Sequence, residues 1–219
     1  MQQPLTLLVA DDHPMFRAAM LHALGDLLVG GRAVEAATRE ALERAIAGTP
    51  HIDLVLLDLM MPGAKGFSSV VALRAQRPEL PLVVVSSNDQ PRTVRRAQQF
   101  GAAGFVSKAA PAERLREAVR TVLAGGTWFE AEQAERSERD ADLAARLAQL
   151  TPQQFRVLML IADGLLNKQI AAELGLAENT VKIHVTAILG KLGCRSRTQA
   201  AVLVKSLDPE ETLDTGPGA

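Results

Sequence analysis

The stretch Leu54–Gly63, LVLLDLMMPG, decides the fold. Its first four residues are large and apolar, and they run straight into Asp58 without the alternation of a strand that has one wet face. Such a run is the pattern of a parallel strand covered on both faces. Working outward, Leu82–Val85 (LVVV) repeats it, Leu5–Ala10 (LTLLVA) and Gly104–Val106 read as further strands, and Ala33–Ala37 as a weaker one. Between them, Pro14–Gly25, Arg39–Ala47, Gly66–Gln76, Pro91–Phe100 and Pro111–Leu123 read as helices. Five strands alternating with five helices predict an α/β domain over residues 1–126, an open, doubly wound parallel sheet with helices on both faces.

Residues 127–149, TWFEAEQAERSERDADLAARLAQ, are rich in Glu, Ala and Arg and read as a charged, partly helical linker. From Leu150 to Leu207 no strand pattern remains and four short helices are expected, an all-α second domain. Residues 208–219 form an acidic tail, expected to be disordered. The single cysteine, Cys194, excludes an intrachain disulfide framework and a clustered-thiolate zinc site. No apolar run approaches the roughly 18 residues of a membrane span, and no basic region precedes the short N-terminal apolar run. A soluble, cytoplasmic protein with no membrane partner is expected. The net charge of −1 conceals a division: residues 150–207 hold seven basic and three acidic side chains, whereas the tail holds four acidic and none basic.

In a doubly wound sheet, chemistry collects outside the carboxyl ends of the strands. Here those ends are polar: the first strand runs into Asp11 and Asp12, the third into Asp58, the fourth into Ser86 and the fifth into Lys108. A Gly-rich dinucleotide loop and a GxxxxGK sequence are both absent, so nucleotide cradling is not indicated. Three converging carboxylates repel one another unless a cation neutralises them, and a hard divalent ion with oxygen ligands does so. An ionised Asp in such a site is a competent phosphoryl acceptor, with Ser86 and Lys108 placed to contact the phosphoryl oxygens. The bland alternative, acidic strand ends that merely solvate loops, suits one Asp better than this whole set.

VADDHP (9–14), LVLLDLMMPG (54–63), VVVSS (83–87) and GFVSK (104–108) together resemble the receiver domain of two-component response regulators. The resemblance implies a flavodoxin-like (βα)5 fold with strand order 2-1-3-4-5. It implies Asp58 as phosphoacceptor and a Mg2+ (or Mn2+) site made by Asp11, Asp12, Asp58 and the Met60 carbonyl. Ser86 and Phe105 become switch residues, and Lys108 a phosphoryl contact. The family often has Tyr where Phe105 stands, and Ala64-Lys65 sits where it commonly has a Met followed by an acidic or amide residue. A haloacid-dehalogenase-like phosphatase also uses a strand-end Asp nucleophile, but needs a second Asp where this chain has Met60. The chain therefore reads as holding a phosphoryl group rather than turning it over, and as no enzyme beyond that.

In the second domain, Thr151-Pro152-Gln153-Gln154 is a capping box with proline at the first helical position, and Ser196-Arg197-Thr198-Gln199 repeats the device. Asn167–Leu174 and Glu178–Leu192, joined by a turn, suggest a helix-turn-helix. At about 100° per residue, Val181, Val185, Ile188 and Leu192 of the second helix share one face, opposite Asn179, Lys182, Ile183 and Thr186. The polar face has the groups that major-groove readout uses, flanked by Lys191, Arg195 and Arg197 as phosphate grips; a plain solvated face fits the periodicity equally well.

LTPQQ (150–154), GLLNKQIAAELGL (164–176), ENTVKIHVTAILGKLG (178–193) and RSRTQA (195–200) resemble the DNA-binding domain of LuxR-type regulators, and with the receiver the NarL/FixJ architecture. The resemblance implies that a sensor histidine kinase phosphorylates the receiver and that the C-terminal domain binds promoter DNA as a homodimer; the Ala/Val/Leu face of the last helix, Gln199–Lys205, is the candidate dimer contact. Gln154 and Gln169 stand where the family has glutamates, and Ala177 where it has a Ser N-cap, a change that costs the recognition helix about 0.5–2 kcal/mol. An alternative keeps the phosphoreceiver but gives the helix-turn-helix a protein partner. His13 and the Arg92, Arg95, Arg96 run read as solvated, His184 as partly buried, Trp128 as packed under the linker, and Cys194 as unreactive.

Overall fold

A computed structural model describes residues 4–64, 66–129 and 138–208. The chain divides into two compact units, one carrying the sheet and one the C-terminal helices. In the first, the strands are β1 (Thr6–Ala10), β2 (Arg32–Ala36), β3 (Leu54–Leu57), β4 (Leu82–Ser86) and β5 (Gly104–Ser107). They alternate with α1 (Pro14–Ala23), α2 (Arg39–Gly48), α3 (Ser68–Gln76), α4 (Pro91–Gln99) and α5 (Ala112–Leu123). The sheet is parallel throughout, in the order β2-β1-β3-β4-β5. A 3-10 turn at Gly25–Leu28, absent from the sequence expectations, follows α1.

The apolar runs behave as doubly covered strands should. Leu7, Val9, Leu54, Leu56, Val83 and Val85 share a core with Met20 of α1 and Leu115, Ala118, Val119 and Val122 of α5. The alternate residues Leu8, Val55, Leu57 and Val84 are also fully buried, so both sheet faces are covered. Each such side chain contributes about 1.5–3 kcal/mol of burial. On the sheet edge β2 is different: Arg32, Ala33 and Glu35 are exposed and only Ala36 is buried, which is why its apolar signal is weak.

Register then places the chemistry. Ala10 pairs with both Ala36 and Leu57, so the residues just beyond, Asp11 and Asp58, emerge side by side at the carboxyl edge. Two backbone bonds continue the ladder there: Asp58 N donates to the Ala10 carbonyl at 2.8 Å and Asp11 N to that of Ala36 at 3.0 Å. Lys108 N reaches the Ser86 carbonyl at 2.8 Å across β4 and β5.

Trp128 packs on the parallel sheet, bridging Gly104 at the outer edge of β5, with the Arg114 guanidinium 4.8 Å from its ring; the following linker residues 130–137, under which it was expected to pack, lie outside the described residues. Arg96 corrects an expectation: it is buried, its guanidinium 5.0 Å and 5.5 Å from the rings of Phe67 and Phe100, while Arg92 stays exposed.

The second unit contains α6 (Glu138–Ala148), α7 (Pro152–Ala162), α8 (Asn167–Leu174), α9 (Glu178–Leu192) and α10 (Arg197–Lys205). The last four are the expected helices, and α6 supplies the helical part of the linker stretch. Leu147, Phe155, Leu158, Ile170, Val181, Ile188, Leu192, Ala200 and Val204 are buried. The box at α7 closes in both directions, Thr151 Oγ1 accepting from Gln154 N at 3.2 Å and Gln154 Oε1 from Thr151 N at 3.1 Å. At α10 only half of it closes: Ser196 Oγ accepts from Gln199 N, but Gln199 Oε1 turns to Arg195 N at 2.6 Å. Gly175, at φ +64°, ends α8 in the left-handed region and lets the chain turn into α9. The tail beyond Asp208, like Lys65, lies outside the described residues.

Candidate functional site

The five expected receiver residues meet at the carboxyl edge of the sheet. Asp11 and Asp58 are 0% and 1% exposed, and buried carboxylates are costly unless paired. Lys108 pairs with both, its Nζ lying 2.7 Å from Asp11 Oδ2 and 2.8 Å from Asp58 Oδ2. Burial alone would pull the ammonium below the ordinary lysine value, but hydrogen bonds to Asp11 and Asp58, reinforced by their charge, hold it above that value. It is therefore a fixed positive charge at neutral pH. The Phe16 ring, 4.9 Å from Nζ, backs it.

Asp58 Oδ1 accepts from Met60 N at 3.2 Å, which orients the carboxylate from its own loop. Ser86 is fully buried at the end of β4, and its Oγ accepts from Asn88 N at 3.2 Å. Asn88 is tied in turn by Oδ1, which accepts from Thr93 Oγ1 at 3.1 Å and Gln90 N at 3.3 Å, so the loop after β4 is pinned to α4. Phe105 is 5% exposed and lines a groove of about 740 Å³ between α4 and α5, with Val94, Arg95, Arg114 and Trp128 on its walls.

Ligand atoms of Asp11, Asp12, His13 and Asp58 lie within 4.8 Å of one another. A set dominated by carboxylate oxygens, two of its members buried, fits a hard divalent cation. His13 is the member that the sequence reading treated as solvated. Its ring is exposed, yet Nδ1 lies 2.7 Å from Asp12 Oδ1. Arg17, also missed, donates to the Asp11 carbonyl at 2.6 Å and to Glu35 Oε2 at 3.0 Å, bracing the β1–α1 loop from outside. The adjacency of His13 to an acidic pair was visible; the direction of its ring was not.

In the second unit, Asn179, Lys182, Ile183 and Thr186 share an exposed face of α9, Ile183 being 62% exposed although apolar. Lys182 Nζ pairs with Glu178 Oε1 at 3.1 Å, and Thr186 Oγ1 donates to the Lys182 carbonyl at 3.1 Å. Arg195 is exposed. The other two expected phosphate grips are tied inward. Lys191 Nζ donates to the Gln149 carbonyl at 2.9 Å and Gln154 Oε1 at 2.7 Å, and Arg197 donates to the Leu165 carbonyl. Long side chains beside open backbone carbonyls satisfy those first, which spacing along a helix does not reveal. Cys194 is half-buried, and burial pushes its thiol up, away from thiolate reactivity. His184 is half-buried, as expected.

A five-stranded parallel sheet with interlocked aspartates and a lysine at its carboxyl edge, joined to a helix-turn-helix, defines a phosphoreceiver regulator with a DNA-binding-type output domain. The chain matches the response regulator receiver domain over residues 7–120 and the luxR family of bacterial regulatory proteins over residues 148–204. It is 36% identical over 213 residues to the nitrate/nitrite response regulator protein NarL of Escherichia coli, covering 93% of this chain and 96% of the relative. It is 34% identical over 211 residues to the glycerol metabolism activator of Pseudomonas putida, with 92% and 96% covered. The RcsB response regulator of Salmonella typhimurium has the same fold, with a TM-score of 0.54 at 21% identity and 94% and 100% coverage. The chain belongs to the NarL/FixJ family of two-component response regulators. Among the described residues, no helix is long and apolar enough to cross a membrane.

Proposed function

We propose that Asp58 accepts a phosphoryl group from a sensor histidine kinase in the cytoplasm, and that α9 then reads promoter DNA. The observation that carries this is the Asp58 carboxylate, held from both sides by Met60 N and Lys108 Nζ. A carboxylate oxygen forms the O–P bond as the P–N bond to the kinase histidine breaks, giving an acyl phosphate. Lys108 stays charged and receives the phosphoryl oxygens. A Mg2+ ion held by Asp11, Asp12, Asp58 and the Met60 carbonyl supplies charge neutralisation when bound. Met60 occupies the position where a phosphatase needs its second acid, which favours storage over turnover.

Ser86 and Phe105 carry the change outward. The Ser86 hydroxyl gives up its bond from Asn88 N to meet the phosphoryl group, and Phe105 repacks at the groove between α4 and α5. In the second unit, Asn179, Lys182, Ile183 and Thr186 face bases, Arg195 grips phosphate, and Lys191 and Arg197 contribute charge from their inward ties. Dimerisation through α10, where Val202 is 60% exposed, matches two half-sites. The test is labelling with a small acyl-phosphate donor and Mg2+. A hydroxylamine-sensitive label absent from Asp58→Ala supports the reading, and undiminished labelling defeats it.

A second reading, a protein partner for the α9 face, draws on the inward ties of Lys191 and Arg197. Genomic pull-down with and without a phosphoryl mimic separates the two: one enriched DNA motif supports promoter binding, and no enrichment supports the protein partner.

A further inference from the structure

His13 belongs to the acidic cluster by geometry, yet the phosphoryl chemistry leaves it without a role. Its backbone N–H donates to Asp11 Oδ1 at 2.8 Å. Its ring Nδ1 lies 2.7 Å from Asp12 Oδ1 and 3.5 Å from Asp11 Oδ1. Neighbouring ligands of an octahedral ion with bonds of 2.0–2.1 Å stand about 3 Å apart. The imidazole nitrogen therefore stands from both carboxylates at the spacing of ligands around one cation. Lys108 engages the Oδ2 atoms of Asp11 and Asp58, which leaves Asp11 Oδ1 and Asp12 Oδ1 together on the His13 side. The bond from His13 N to Asp11 and the proline at the start of α1 fix the backbone that carries the ring.

We propose that His13 is a nitrogen ligand of this cation site and makes it selective for borderline transition ions such as Zn2+ over Mg2+. The inference rests on the reading of the cluster as the cation site of the phosphoacceptor. Without a cation, the ring donates Nδ1–H to Asp12. With one, Nδ1 turns its lone pair to the ion, and the ring proton moves to Nε2 on a side chain that is 68% exposed to water. Imidazole suits Zn2+ and other borderline ions, whereas Mg2+ gains little by exchanging a bound water for nitrogen.

The test uses the full-length protein. With Cu2+ bound as the probe, a borderline ion that imidazole suits, electron spin-echo spectroscopy detects a directly coordinated nitrogen, which His13→Ala abolishes. In calorimetry, His13→Ala weakens Zn2+ binding by about tenfold or more while Mg2+ binding stays within about twofold. Asp12→Asn, which removes a neighbouring ligand, weakens both. Cu2+ binding without nitrogen coupling overturns the proposal. So does an equal loss of Zn2+ and Mg2+ affinity in His13→Ala, which makes His13 a positioning residue for Asp12. Mg2+-dependent labelling of Asp58 is read in parallel: label without nitrogen coupling sinks the ligand role alone, and no label sinks the phosphoacceptor reading itself.

Discussion

The acidic edge of the sheet and the outer face of α9 both gather polar side chains, yet the protein holds them in opposite ways. At the edge, Asp11 and Asp58 are buried, and each oxygen has a defined partner in Lys108, His13 or Met60. On α9, Lys182 and Thr186 are exposed and, among the described residues, bonded only to their own helix. A phosphoryl acceptor must be preorganised, because charge that is already placed needs no reorganisation during the reaction. Under the proposed function, a groove-reading face stays open because its partner completes it, and removing one of its groups costs only that contact.

The largest contrast comes from substitutions at the edge. Asp58→Asn keeps an oxygen for Met60 N but removes the carboxylate proposed as nucleophile, so labelling by a small phosphodonor should fall to background while circular dichroism is unchanged. Lys108→Ala leaves two buried carboxylates facing each other. Breaking a buried pair costs about 3–5 kcal/mol, and here a divalent cation can substitute for part of the lost charge. Denaturant unfolding should therefore show a large loss in chelator that Mg2+ partly restores. An equal loss with and without Mg2+ would separate the cation site from the Lys108 partners.

Lys182→Ala probes the open face. It removes one exposed cation and its i,i+4 pair with Glu178, so stability changes by only a few tenths of a kcal/mol. Specific DNA affinity should fall by about 1–3 kcal/mol in gel-shift titration, with Asp58 labelling unchanged. If affinity is unaltered, α9 is not the reading helix and the protein-partner reading gains.

The same contrast explains what the residues disclosed beforehand. β3 and β4 were legible because both faces of a central parallel strand are buried, so Leu54–Leu57 and Leu82–Val85 carry no polar interruption. With every strand parallel, Asp11, Asp58, Ser86 and Lys108 could only fall on one edge. β2 was faint because an edge strand exposes Arg32 and Glu35. The inward turns of Lys191 and Arg197 were not legible, since their partners are backbone carbonyls at Gln149 and Leu165, remote in sequence and without a residue signature. Arg96 was misread for a related reason: Phe67 and Phe100 flank it only after folding.

The smallest expected effect tests how far the open face depends on its scaffold. Ala177 precedes α9 with φ −72° and ψ 143°, extended geometry that a serine adopts without strain, and no side chain caps the helix there. At α10, Ser196 at the equivalent position accepts from Gln199 N, so the second unit contains the bond that α9 lacks. Ala177→Ser should let Oγ accept from the second or third amide of α9 and stabilise the second unit by about 1 kcal/mol. Hydrogen exchange of the first-turn amides of α9 would slow accordingly, because an orphan donor gains a partner. DNA affinity should rise by less than about twofold if the helix is already formed in the free protein, since a cap then stabilises free and bound states alike. A rise of about fivefold or more would mean that the first turn of α9 orders only on DNA, and that the open face is unfinished in its backbone as well as in its contacts.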